Sequence, residues 1–187
     1  MPNWCTNELN LYGPKEDVES FMKKVVQEEG KICLFQSTYP TPIELMDQPA
    51  HKKIADWTPE DHVLFEEYGQ TNWYDWRIHN WGTKWESEDA YLLFERDIEG
   101  KEEGEEELKE IAYRFDTAWG PAIGWQKKVT KDYPGIIFHL WYEETGMGFC
   151  GTLTNFAGET VEEVESVVLA KDPDMEYMYE RYKEERG

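Results

Sequence analysis

The chain has 187 residues and a formal net charge of −21, from 40 acidic and 19 basic side chains, with a mean hydropathy of −0.78. That length is one domain's worth of sequence, and because aromatic residues make up 15% of it the apolar mass lies in large rings, which excludes a disordered polyelectrolyte. The charge excludes the classes that need a basic face: such a field repels nucleic-acid phosphates and anionic lipid, and attracts proteins with a basic surface.

No run of eighteen apolar residues occurs, and "MPNWCTNELN" has neither a basic n-region nor an apolar h-region, so a cytoplasmic protein without membrane contact is expected. Cys5, Cys33 and Cys150 are odd in number and widely spaced, which fits reduced thiols better than a disulfide framework. With neither CxxC nor HExxH in the chain, no metal and no cofactor is expected.

In chain order, "NELNLYG" alternates Leu9 and Leu11 with polar neighbours and reads as the first strand. "PKEDVESFMKKVVQEEG" follows as an amphipathic helix, with Pro14 at its start, Val18, Phe21, Met22 and Val25 on one face, and Gly30 at its end. From Lys31 to about Asp89 regularity fades into prolines, tryptophans and loops; the one clear helix is "TPEDHVLFEEYG", capped by Thr58 and stopped by Gly69. This region reads as an insertion of about 31–89.

"AYLLFER" and "LKEIAYRFDTAW" then form a hairpin around the acidic turn "IEGKEEGEEE". A helix opening at Pro121 carries Ala122, Trp125, Val129 and Tyr133, with Asp116 as a candidate cap, and "IIFHLWYEE" and "GFCGTLTNF" make a second hairpin. In the tail, "TVEEVESVVL" fits a helix or a strand, whereas "DPDMEYMYERYKEERG" reads as a helix with Met175, Met178, Tyr179 and Tyr182 in register.

"MPNWCTNELNLYG", "NWGTKW" at Asn80–Trp85, "FDTAWGP" and "FHLWYEETGMGFCG" together resemble the YubB-type ferredoxin-like family of bacteriophage and conjugative-plasmid proteins, over roughly Met1 to Gly151. The resemblance implies an α+β, ferredoxin-like βαββαβ antiparallel sheet, in agreement with the element order read from the residues, and implies no established activity or catalytic residue. The expectation is one domain over 1–187, with the insertion after the first helix and a C-terminal extension of about 156–187 that ends in a helix.

Two surfaces are candidates for function. Trp73, Trp76, Trp81 and Trp85 share no single period of 2 or 3.6 and read first as the core of the insertion. The competing reading is a small-molecule pocket formed by Trp76, His79, Asn80, Trp81, Thr83, Lys84 and Trp85, with Arg77 and Lys84 free to stack on the rings. The second surface is acidic. Glu86–Glu110 holds 12 acids against 3 bases, and Glu102, Glu103, Glu105, Glu106 and Glu107 crowd its turn.

Catalysis would require Cys5 beside His79 or His139, because a thiolate needs a nearby base, and no spacing in the chain brings them together. The expectation is therefore a non-enzymatic accessory protein of a mobile element. Its partner would be a host protein with a basic surface, a nucleic-acid-binding or defence factor, that the acidic surface inhibits. A ligand-binding domain or a Cys-dependent enzyme is the alternative.

Overall fold

A computed structural model describes residues 3–99, 106–166 and 175–184. The first strand, β1 (Trp4–Pro14), lies between β3 (Leu108–Ala118) and β4 (Ile137–Glu144) and is antiparallel to both. Its alternation sends Cys5, Leu9 and Leu11 to one face of the sheet and Tyr12 to the other. Both sets are buried, so β1 is covered on two sides.

The whole sheet runs β2-β3-β1-β4-β5-β6 with every neighbouring pair antiparallel, where β2 is Glu88–Ile98, β5 Phe149–Phe156 and β6 Glu159–Ser166. The first four strands stand in the ferredoxin-like order, and β5 and β6 widen the sheet beyond β4. "TVEEVESVVL" thus contributes a strand. Its alternating Val161 and Glu162 suit a half-buried edge, and Val161 packs beside Phe156.

The first face carries α1 (Lys15–Val25), which buries Val18, Phe21 and Val25 at i, i+3 and i+7. α1 ends five residues before Gly30. The β-branched pair Val25–Val26 favours extended backbone, Val26 bridges Ile32, and the chain reverses through left-handed Glu29 and Gly30. The insertion then adds α2 (Leu34–Thr38), α3 (Ile43–Met46), α4 (Pro59–Tyr68) and α5 (Trp73–Trp81).

α4 opens on the expected cap: the Thr58 hydroxyl accepts from the Asp61 amide and the Asp61 carboxylate answers from the other side. α5 is a helix where only irregular chain was expected. The Asn72 side chain accepts from the Asp75 amide at its start, and Gly82, at φ +89°, closes it in the left-handed conformation.

Between β3 and β4, α6 (Ile123–Val129) is shorter than expected. Tyr133 lies past its end, edge-on to Phe21 with ring centroids 5.3 Å apart. Asp116 does not cap α6, whose N-terminal residue Ala122 makes no side-chain cap; it accepts instead from Thr6 Oγ1 on β1 at 3.0 Å. α7 (Met175–Glu184) covers the second face, where Met175 and Tyr179 bury Tyr12, Ile137 and Phe156. The Met178 and Tyr182 side chains lie outside those described.

The second face also buries a polar pair. Asn10 stands opposite His139 across β1–β4; His139 Nδ1 lies 2.9 Å from Thr154 Oγ1, while His139 Nε2 and Asn10 Nδ2 have no partner among the described residues. Burial pushes the imidazole down to about 4. Between that value and the unfolded value near 6.5 the unfolded chain binds the proton more readily, so this contribution to stability is complete above pH 6.5 and is lost as pH falls towards 4. The expected slope approaches about 1.4 kcal/mol per pH unit, and His139→Gln should flatten it in urea unfolding followed across that window.

Candidate functional site

The tryptophan-rich stretch is a packing hub. Trp81 makes ring contacts with Phe35 at 5.5 Å and Trp76 at 6.1 Å, and its Nε1 donates to the Tyr39 carbonyl at 2.9 Å. The Arg77 guanidinium lies 4.7 Å from the Trp81 ring and 5.2 Å from that of Trp73, and its Nε donates to Thr41 Oγ1 at 2.9 Å. Burial lowers the Arg77 pKa, and the nearby Glu86 carboxylate opposes that shift.

Asn80 donates to the Trp76 carbonyl at 3.0 Å and accepts from the Tyr39 hydroxyl. Thr83 donates to the Ala118 carbonyl at 3.1 Å, fastening the insertion to the end of β3. A Cβ at Gly124 would lie 2.7 Å from the Asn80 carbonyl oxygen, so α5 and α6 touch backbone to backbone there.

This arrangement corrects the pocket expectation. Trp76, Asn80, Trp81 and Thr83 are buried in mutual contacts, whereas His79 is exposed on α5. Lys84 sits 4.0 Å over the ring of Trp85, which in turn meets Trp4 at 5.9 Å. The seven residues are divided between core and surface and do not surround one opening.

The Cys5–histidine pairing is also absent. Cys5 is fully buried on the first sheet face, where desolvation pushes its thiol up to about 12. His139 occupies the second face five positions along β1, about 17 Å of strand away. His79 is on the surface. Among the described residues no group of three or more His, Cys, Asp or Glu could hold a metal ion. No helix among them is long and apolar enough to cross a membrane.

Of the acidic turn, Glu102, Glu103 and Glu105 lie outside the described residues, while Glu106 and Glu107 are exposed. They line a groove of about 550 Å³ together with Pro14, Lys15, Glu16 and Asp17. The turn is tied to the start of α1 by the Lys15 amide, which donates to the Glu107 carbonyl at 2.9 Å. Lys15 Nζ lies 3.2 Å from Glu107 Oε2 and 3.1 Å from Asp97 Oδ2, and both contacts raise its pKa.

Glu16 and Asp17 occupy the first turn of α1, where the helix dipole favours negative charge. The groove thus has four carboxylates and one cation among its described walls. Other cations pair with carboxylates of the fold: Lys52 with Asp61 at 2.6 Å, Arg96 with Glu110, buried Lys109 with Glu95 at 2.9 Å and Asp97 at 2.5 Å, and Lys127 with Glu163 at 2.8 Å.

At the other end of the sheet is a cavity of about 530 Å³, walled by Pro121, Ile123, Tyr142, Phe149 and Cys150 with Glu165 at its side. Sequence reading missed it. The available signal was Gly151 within a strand: a Cβ there would fall 2.1 Å from the Tyr142 hydroxyl, so the ring lies across the glycine.

Two outcomes separate a packing hub from a pocket. Trp81→Ala should cost about 3–5 kcal/mol in urea unfolding, whereas His79→Ala should stay within about 0.5 kcal/mol of the parent. With a maleimide at neutral pH, half-buried Cys33 and Cys150 should label in the native protein and Cys5 only after unfolding, as read by peptide mapping.

Residues 80–171 match the family model described as the ferredoxin-like domain in Api92-like protein. The crystal structure of a protein api92 from Yersinia pseudotuberculosis is similar over 91% of this chain and 100% of that one, with a TM-score of 0.53 and 10% sequence identity, a likeness of fold alone. No curated protein matches the chain. Residues 80–171 are thus similar in sequence to the ferredoxin-like domain in Api92-like protein, and the chain as a whole is similar in fold to api92.

Proposed function

We propose that the protein is a non-enzymatic accessory protein of a mobile element that binds a host protein with a basic surface through its own acidic surface. A nucleic-acid-binding or defence factor, inhibited by this contact, is the partner class that such charge suits. The mobile-element setting comes from the resemblance of "MPNWC", "NWGTKW" and "FDTAW" to YubB-type proteins of phages and plasmids.

The observation that carries the reading is the division of charge. Lys52, Arg96, Lys109 and Lys127 are bound to carboxylates of the fold, and Arg77 and Lys84 lie on tryptophan rings. Glu16, Asp17, Glu106 and Glu107 meanwhile line a groove with Lys15 as its described cation. Each exposed pair with a partner contributes only about 0.2–1 kcal/mol, so affinity needs several pairs, and the field acts chiefly on encounter rate.

A second reading has one observation in its favour: the cavity beside Tyr142 and Phe149, about 530 Å³, is of a size that holds small molecules, which keeps a ligand-binding domain in view. Cys5, buried and remote from His139, lends no support to a Cys-dependent enzyme.

Affinity capture by the full chain from host lysate, followed by titration of the purified partner at about 50 mM and about 300 mM salt, tests the proposal. The partner should be basic, binding should weaken at least about tenfold between the two salts, and Glu106→Lys with Glu107→Lys should weaken it further. A complex indifferent to both salt and charge reversal would remove this reading.

A further inference from the structure

β2 is the terminal strand of the sheet among the described residues, eleven residues long and hydrogen-bonded there to β3 alone. Its outer backbone row is a template for another strand. The two sheet edges guard that liability differently. β6 places Glu159, Glu162, Glu163 and Glu165 within eight residues, and Glu163 is further held by Lys127. β2 instead runs Ala90–Phe94 without a charge, and Tyr91, Leu93 and Phe94 are 47%, 43% and 39% exposed.

The register gives this patch a direction. Tyr91 stands opposite Arg114 and Phe94 opposite Ala112, both on the second sheet face, and a bulge at Leu93 adds a third apolar side chain between them. From Phe94 to Ile98 the pairing with β3 is regular, so five consecutive residues, about 17 Å of strand, present an even outer edge. Acids flank the apolar window: Glu88 and Asp89 before it, Glu95 and Asp97 after it, with Arg96 already bound to Glu110. Asp97 also joins Lys15 at the wall of the acidic groove, so the strand leads into that groove.

We infer that the free edge of β2 docks an extended segment of another protein by strand addition, the segment carrying alternating apolar residues flanked by Lys or Arg. The inference rests on the reading of the protein as an anionic binding module and names the shape its partner presents. Main-chain hydrogen bonds to β2 supply affinity, Tyr91, Leu93 and Phe94 select apolar side chains, and the flanking acids select basic ends. A second copy of this chain is the poorer occupant. Antiparallel self-pairing centred on Leu92–Leu93 sets Glu88 against Asp97 as well as Asp89 against Arg96, so it gains nothing from the register and brings two chains of charge −21 together.

The test uses the full chain and three synthetic peptides. One alternates Val and Thr between Lys-rich ends, one has the same ends but a proline-interrupted centre, and one has the Val/Thr centre with Ser in place of Lys. Amide hydrogen exchange by NMR is read with each peptide, and light scattering is read without any. The first peptide should protect the backbone amides of Tyr91–Ile98, and the other two should bind at least roughly tenfold more weakly. Leu93→Glu with Phe94→Glu should also weaken the first peptide roughly tenfold. Tyr91→Glu serves as the second variant if that pair perturbs folding.

If the proline-interrupted peptide binds as well as the first, with β2 unprotected, strand docking fails while the charge-based function survives. Equal, salt-independent protection by the Ser-ended peptide would overturn the basic flanks and, with them, the charge-based function. A dimer that protects the same amides without peptide would make a second copy the occupant and overturn the inference.

Discussion

The two-sided burial of β1 is the constraint on which the rest of the molecule depends. A strand with Leu9 and Leu11 on one face and Tyr12 on the other cannot remain at an edge or under water, and it is held between β3 and β4 with cover above and below. The first face takes α1, α6 and the insertion, and the second takes α7. Each large ring buried in this way contributes about 1.5–3 kcal/mol, enough that loosening one layer exposes the next.

The insertion owes its form to the same economy of large rings. Phe35, Tyr39, Trp76, Trp81 and Trp125 form a connected aromatic cluster, and the Arg77 charge is accommodated over ring faces. A cation so placed organises the core and adds little to the outer field. The ion pairs of Lys109 and Lys52 likewise hold their cations against carboxylates of the fold.

Much of the fold was legible because it is written in local periods. The alternation of "NELNLYG" marked β1, the i, i+3, i+7 spacing of Val18, Phe21 and Val25 marked α1, and Thr58 with Gly69 bracketed α4. α5 was missed although Asn72 and Gly82 cap it, because its aromatic residues give almost no one-sided pattern along so short a helix. The early end of α1 and the role of Asp116 were also hidden: the first depends on Val26 pairing with Ile32, the second on Thr6 arriving from a strand 110 residues away.

Composition by itself determined that the chain has the apolar mass to fold and a net charge of −21, since these follow from residue counts. Sequence pattern determined most strands and helices, whose periods arise within a few residues. Only the tertiary structure decided that Trp76 and Trp81 are core, that Cys5 and His139 lie on opposite faces, and that Glu106 and Glu107 share a groove with Glu16 and Asp17. The same is true of the β2 edge, left with Tyr91, Leu93 and Phe94 uncovered. Those outcomes depend on strand order and register, set by contacts between residues far apart in the chain that no local period encodes.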